Sequence, residues 1–293
     1  MTLATKNLSR HQAVVAIKQR LLEAGIDTAD EDARILLRAA TSLTRLELAT
    51  QPQTALTREQ CQILDQYVTR REAHEPVSRI LESRGFWTVD LLIAPNVLDP
   101  RPDTETLVET ALSLLENTPN APIKILELGA GSGAIVCALL SELPKAQAVV
   151  VDLSPHACQA SKVNLARCGL SNRAFVLQGR WHEALQAQFD LVISNPPYIA
   201  SAELNALPPS VRLYDPILAL DGGTDGLDCY RAIIKDIPRL LKPNGLLVFE
   251  LGIGQATDVR PMLEAMKLEI KTIARDLGGH ERALAARAIQ NAQ

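Results

Sequence analysis

Apolar residues recur along this chain at two different spacings, and the change of spacing divides it. From residue 9 to about 72 they return every three or four positions, as on one face of a helix. Val14, Ile17 and Leu21 follow Ser9-x-x-Gln12, a pattern in which hydroxyl and amide cap each other's backbone, and Gly25 supplies a stop. Thr28-x-x-Glu31 opens a second helical run with Ile35, Leu36 and Ala39 facing inward. Thr57-x-x-Gln60 opens a third with Ile63, Leu64, Tyr67 and Val68, ending before Pro76. Leu43 to Ala49 fits a shorter helix between them. The period then shortens. Phe86 to Val89 and Leu91 to Ala94 predict two short strands turning at Asp90, and Pro95, Pro100 and Pro102 stiffen the passage into the next domain. Asp103 or Thr104 is placed to cap an apolar helix through Leu107, Val108, Leu112 and Leu115.

From residue 122 onwards strand-like and helical runs alternate, the signature of a parallel α/β sheet. Strands are expected at 123–128, 148–152, 174–177, 190–194 and 246–250. Helices are expected from Ala134 to Leu143, from the Ser154-Pro155 cap to Gly169, from about Gly226 to Leu241 and from Gln255 to Met266. Leu268 to Ala274 and Ala283 to Ala288, joined by a Gly-rich loop, predict a closing antiparallel pair. The expected organisation is a helical domain over 1–76, a β-hairpin linker over 77–99 and an α/β domain over 100–293.

Composition narrows the class. The 293 residues leave room for about two domains. With 47% hydrophobic and 22% charged residues, the chain reads as a folded enzyme and not as a disordered tail. A net charge of −4 lacks the footprint of a protein that grips long nucleic acid by its phosphates. The five cysteines (61, 137, 158, 168, 229) are odd in number and lack C-x-x-C spacing, so reduced thiols are expected. Met1 to Arg10 carries no secretory pattern, and no apolar run approaches the roughly 20 residues that span a bilayer. The expected location is the cytoplasm, with no membrane partner. His11 and His74 read as isolated polar positions, and Arg70-Arg71 as a solvated helix end.

Two stretches carry chemistry. Asn195-Pro196-Pro197-Tyr198 begins where the strand 190–194 should end; two prolines without N–H donors stop strand pairing and stiffen the backbone. That makes a rigid clamp of an amide and an aromatic ring at the carboxyl end of a strand, where open α/β sheets bind ligands. Gly129-Ala130-Gly131-Ser132-Gly133 turns the first strand into a helix whose free N–H groups suit an electron-rich ligand. Asp152, at the tip of the next strand, is placed to accept from ribose hydroxyls. Gly129-x-Gly131-x-x-Ala134 also fits the looser dinucleotide fingerprint, so an S-adenosylmethionine-dependent transferase and an NAD-dependent oxidoreductase both remain open on these residues. The closing antiparallel pair is typical of class I methyltransferases, and there the clamp would end the strand beside the first. Together these favour S-adenosylmethionine.

The clamp resembles that of amino methyltransferases acting on adenine N6 or on glutamine N5 of proteins. A wider set is more specific: Arg101-Pro102-Asp103-Thr104-Glu105, Glu127 through Ile135, Tyr214-Asp215-Pro216, Ala219 through Gly223, Asp225-Gly226-Leu227, Glu250-Leu251-Gly252 with Gln255, and Glu281-Arg282. In these motifs the chain resembles the peptide chain release factor glutamine methyltransferases over nearly its whole length. A sister family acting on a ribosomal protein characteristically reads Arg-Ser-Pro where this chain has Arg101-Pro102-Asp103.

The resemblance implies an α/β class I methyltransferase, Rossmann-like and mostly parallel, preceded by a small helical bundle; that bundle carries no catalytic cluster of its own and is expected to dock the release factor. It implies methylation of the glutamine of the Gly-Gly-Gln loop of bacterial release factors, with S-adenosylhomocysteine as product; the transfer requires no metal, and the acidic net charge without a Lys/Arg array argues against sequence-specific nucleic-acid binding. Residues 129–133, Asp152, Trp181 and Asn195 would line the cofactor. Asn195, Pro196, Pro197 and Tyr198 would hold the glutamine amide, with Asn195, Pro196 and Tyr198 catalytic. The alternatives are an adenine-N6 nucleic-acid methyltransferase, a glutamine methyltransferase acting on a ribosomal protein, and an inactive binding module. The chain departs from the family at Arg180, where an acidic residue usually accepts from the adenine amine. It departs also at Asp99, where an aliphatic residue is usual, and at Glu82, where a glycine is.

Overall fold

A computed structural model describes residues 8–115 and 121–288. Residues 1–7, most of the stretch that lacks a secretory pattern, lie outside the described residues, as do the outermost residues of the expected 1–76 and 100–293 domains. The chain forms two compact units. One takes in the chain up to Glu82 together with Pro209–Tyr214; the other holds Ser83–Pro208 and the chain from Asp215 onwards.

The first unit is helical: α1 (Arg10–Glu23), α2 (Ala29–Thr41), α3 (Arg45–Thr50), α4 (Arg58–Glu72) and α5 (Val77–Ile80). Ser9, Thr44 and Thr57 each accept from the backbone three residues on, and Gln12, Glu47 and Gln60 reach back to the cap backbone. Two orphan N–H donors are thereby satisfied at each start, which fixes where these helices begin. Thr28 departs from the expectation: its hydroxyl donates to the Asp32 side chain and caps nothing. The inward face of α2 also sits about one residue round from the expected one. Leu36, Leu37 and Ala40 are buried, whereas Ala39 is exposed. The cause lies at Asp32, on the inward face, where it accepts from Arg71 Nε at 2.7 Å. Arg71 is thus a buried ion-pair partner and not a solvated helix end, while Arg70 binds Glu75. Thr57→Ala should lower the stability of this unit by about 1 kcal/mol. Faster amide hydrogen exchange in the first turn of α4 is the expected readout, and unchanged exchange would show that the cap carries nothing.

In the second unit, β1 (Ser83–Phe86) and β2 (Val89–Leu92) form the expected hairpin. Phe86 pairs with Val89, so the turn is Trp87-Thr88 and not Asp90. That register puts the buried Phe86 and Leu91 on one face, which a one-residue slip would turn outward. Pro102–Thr104 forms a 3-10 turn running into α6 (Glu105–Leu115). Asp103 and Thr104 lie inside that turn, and neither side chain caps the helix.

Then come β3 (Lys124–Leu128), α7 (Ala134–Glu142), β4 (Gln147–Asp152), α8 (Pro155–Arg167), β5 (Ala174–Gln178) and β6 (Phe189–Ser194). A long connection leads to α9 (Asp228–Ile234), α10 (Ile237–Leu240), β7 (Leu241–Glu250), α11 (Ala256–Ala265), β8 (Leu268–Arg275) and β9 (Glu281–Ala288). The single helix expected over 226–241 is broken into α9 and α10. Pro238 has no N–H for the Ile234 carbonyl, and its ring crowds the preceding turn. Nor does Pro243-Asn244-Gly245 precede the strand. β7 pairs at Leu241 with Phe189 and again at Leu246 with Leu191, and the residues between bulge out.

The seven strands lie in the order β5-β4-β3-β6-β7-β9-β8. The first five run parallel and β9 lies antiparallel between β7 and β8, giving the expected closing pair. Alternate residues face two cores. Ile125, Leu191, Ile193 and Val248 meet α6 and α7 on one side, and Leu126, Val192, Leu247 and Phe249 meet α9 and α11 on the other. All five cysteines are free thiols. Among the described residues no helix is long and apolar enough to cross a membrane.

Candidate active site

Parallel pairing places the ends of β3, β4 and β6 side by side, so the loops that leave them meet at one edge. After β3, Gly129 and Ala130 donate to the Val151 carbonyl of β4, and Ser194 Oγ at the end of β6 donates to the Leu128 carbonyl at 2.7 Å. The glycine loop is pinned from below as well. Buried Asn164 of α8 donates to the Ser132 carbonyl at 2.9 Å and also exchanges hydrogen bonds with Leu92 of the hairpin. Beneath the loop, Glu127 accepts from the Val136 N–H at 3.1 Å, and burial pushes its carboxyl up to about 8.

A cavity of roughly 360 Å³ opens at this edge, a size that suits a small-molecule ligand. Of the residues singled out in the sequence, Gly129, Gly131, Asp152, Trp181, Asn195 and Pro197 line it. Gly129 adopts φ 70°, and a Cβ there would stand 3.4 Å from the Trp181 ring. That contact is an ordinary one, so it is the left-handed backbone that the position asks of glycine. Asp152 Oδ2 accepts from Gly131 N–H at 2.9 Å and Oδ1 from Ser154 N–H at 2.8 Å. Burial raises its pKa, and these backbone donors oppose the rise. Each oxygen has a further lone pair to offer.

Ala130, Ser132, Gly133, Pro196 and Tyr198 are not on the cavity wall. Ala130 and Ser132 are buried in the loop, and Gly133 begins α7 against Ser161. Asn195 donates through Nδ2 to Thr104 Oγ1 at 3.3 Å, which leaves Oδ1 as the acceptor its side chain offers. Tyr198 sends its hydroxyl to Glu250 Oε1 at 3.2 Å, and burial beside that carboxylate raises the phenol's pKa. Its backbone carbonyl is held by Gln255 Nε2 at 2.9 Å. The clamp is thus braced at both ends.

The wall also includes Asn96, Val97 and Leu98 after the hairpin, Pro216, Leu218, Ala219, Asp221 and Cys229. Pro216, Ala219 and Asp221 belong to motifs that stood out in the sequence, yet nothing local signalled that they line a cavity. Arg180 stands on the wall too, so that departure falls at the site itself. The other two departures acquire local accounts. Asp99 is fully buried and pairs with Arg84 of the hairpin at 3.1 Å. Glu82 adopts φ 54°, a left-handed backbone that glycine takes at less cost.

A mostly parallel sheet in this strand order, closed by an antiparallel pair and opening a cavity beyond β3, β4 and β6, defines a class I methyltransferase. Solved structures share that fold. They include a methyltransferase from Pyrococcus furiosus (16% identity, 72% of this chain and 94% of that one, TM-score 0.52). They also include the 16S rRNA N2 G1207 methyltransferase of T. thermophilus, solved with AdoMet and guanosine (20% identity, 71% and 50%, TM-score 0.51). Residues 12–81 match the family described as the PrmC N-terminal domain, and residues 105–207 the methyltransferase small domain. Over 268 residues the chain is 45% identical to the release factor glutamine methyltransferase of Rhodospirillum rubrum, covering 92% of this chain and 82% of that protein. It is 41% identical over 273 residues to that of Caulobacter vibrioides, covering 92% and 93%. The chain belongs to the release factor glutamine methyltransferase family, and it is an enzyme.

Proposed function

We propose that this enzyme methylates the side-chain amide nitrogen of the glutamine in the Gly-Gly-Gln loop of bacterial peptide chain release factors, with S-adenosylmethionine as donor. The observation that carries the reading is the position of Asn195 and Pro197 on the same cavity wall as Gly129, Gly131 and Asp152. The wall fits the donor: Gly129 and Gly131 bring bare backbone to the cavity, and Asp152 keeps lone pairs for vicinal hydroxyls. When bound, S-adenosylmethionine supplies a sulfonium methyl and leaves as S-adenosylhomocysteine.

What remains for the protein is to aim an unreactive nitrogen. An amide lone pair is delocalised into its carbonyl, so the amide must be held with its remaining electron density toward the methyl. Asn195 Oδ1 and the Pro196 carbonyl accept the two N–H groups, and the Tyr198 ring packs beside the planar amide. Orientation of this kind supplies on the order of 7–11 kcal/mol of a barrier. The prolines and the braces on Asn195 and Tyr198 leave little reorganisation for the transition state. The helical unit, which contributes nothing to this cavity wall, docks the body of the release factor.

The test is transfer of labelled methyl to intact release factor, to a short peptide of its Gly-Gly-Gln loop, to a ribosomal protein and to duplex DNA. Label is expected in the factor, lost when the loop glutamine is changed, with a higher KM for the peptide. Equal KM for factor and peptide would remove the docking role. Label in DNA or the ribosomal protein, but not in the factor, would overturn the substrate.

A further inference from the structure

Below the clamp the polar contacts run on into the protein. Asn195 Nδ2 donates to Thr104 Oγ1 at 3.3 Å, the Tyr198 hydroxyl donates to Glu250 Oε1 at 3.2 Å, and Glu250 Oε2, buried with Thr104 nearby, takes no hydrogen bond from the described residues. Thr104 and Glu250 are 3% and 2% exposed, so water does not substitute for either. A hydroxyl that accepts from Asn195 has one hydrogen left to give, and the Glu250 carboxylate is the acceptor near it. We propose that Glu250, acting through Thr104, is a positioning residue that fixes which way round the Asn195 carboxamide stands. The proposal rests on the clamp mechanism of the proposed function.

The two ends of a carboxamide are nearly the same size and opposite in hydrogen-bonding sense. With Nδ2 toward Thr104, Oδ1 is presented to the incoming N–H. Turned about, the side chain would present its own NH₂ to the substrate's NH₂, donor against donor. Ionised Glu250 takes the Thr104 hydrogen and enforces the first orientation. Protonated Glu250 has a hydrogen of its own to give Thr104, whose hydroxyl hydrogen then turns to Asn195 and selects the second.

The surroundings set where this exchange falls. Burial raises the Glu250 pKa to about 7, opposed by the Thr104 hydroxyl, the Arg282 guanidinium and the Tyr198 hydroxyl, while Asp103 adds to the rise. Tyr230 completes the shell, donating to the Glu250 backbone carbonyl at 2.7 Å. A primary amide and a sulfonium methyl do not titrate near neutrality; the donor's α-amino group does, at about 8, and its limb is common to every variant, so the limb that Glu250→Gln alone removes is the one assigned to Glu250.

The experiment measures kcat and KM for both substrates across about pH 5.5–8.5. The proteins are wild type, Glu250→Gln, Thr104→Val and Thr104→Ser, with S-adenosylmethionine binding measured by calorimetry. In the wild type kcat should climb with pH through a limb near neutrality. Glu250→Gln should flatten that limb, because a carboxamide enforces neither orientation at any pH. Thr104→Val should lower kcat about tenfold with donor affinity changed less than about twofold, and Thr104→Ser should restore it. If Glu250→Gln keeps the same kcat limb near pH 7 as wild type, or Thr104→Ser is as slow as Thr104→Val, the proposal is overturned. Should Thr104→Val fail to fold, the wild-type and Glu250→Gln profiles still decide it. If Asn195→Ala is inactive while the Thr104 and Glu250 variants match wild type, only the positioning role falls. If Asn195→Ala itself turns over normally, the clamp mechanism falls first.

Discussion

Replacing Asn195 by alanine is expected to reduce methyl transfer to the release factor by about 10²–10³-fold, the loss expected when one preorganised polar group is removed from a reacting centre. Substrate binding should suffer less. Losing one acceptor from a buried amide donor costs about 1–3 kcal/mol in the bound state, whereas the rate also loses the orientation that aims the nitrogen. Asn195 lines the cavity as well, so donor affinity must be read separately. A calorimetric Kd for S-adenosylmethionine within about threefold of wild type, beside a collapsed kcat, assigns the effect to the amide. Wild-type turnover by the variant would sink the clamp mechanism. If kcat holds and donor binding alone weakens, Asn195 serves the donor and not the amide.

How much of this was legible in the sequence depends on how local each cause is. The helix starts at Ser9 and Thr57 are decided within four residues, and they are where the sequence places them. The strands of the sheet follow from apolar runs, and the closing antiparallel pair from a Gly-rich loop between two of them. The misreadings have non-local causes. Buried Asp32 turns α2 because Arg71, thirty-nine residues on, reaches it. The hairpin turn is set by which residues the core takes, not by the polar Asp90 at its middle. Pro238 is different, since its effect on the helix was readable from the residue type alone.

The same division holds at the site. The glycine loop and the Asn-Pro-Pro-Tyr clamp are contiguous, so their chemistry could be read along the chain. The brace on the clamp could not. Thr104 stands ninety-one residues from Asn195, and Glu250 fifty-two from Tyr198. Folding brings them together because the turn before α6 and the end of β7 arrive at one place beside the end of β6. Glu127 and Glu250 were both visible as members of motifs, yet their burial, and so their raised pKa values, belongs to the packed sheet.

Gly226→Ala should damage the clamp without replacing any residue of it. Gly226 adopts φ 75°, and a Cβ there would run into the Tyr198 carbonyl oxygen and come within 2.8 Å of Gln255 Nε2. That amide is the group that ties the Tyr198 and Gly226 carbonyls together, at 2.9 and 3.3 Å. The left-handed backbone costs a side chain about 1–2 kcal/mol, and forcing an extra methyl into packed surroundings about 1–3 more. At roughly 2–4 °C per kcal/mol for a unit of this size, Tm should fall by about 4–20 °C. Relief by moving Tyr198 shifts the clamp, and a misplacement of about 1 Å costs on the order of 10²-fold in rate. Gly254→Ala is the matching control. It too has positive φ, at 82°, but a Cβ there meets nothing within 4 Å, so it should lose about 1–2 kcal/mol and keep its turnover. Calorimetric melting and methyl-transfer assays on the two variants separate backbone strain from displacement of Tyr198. Equal loss of activity in both would mean that strain alone is felt at the site, and normal turnover in a folded Gly226→Ala protein would mean that Tyr198 need not be held where the structure holds it.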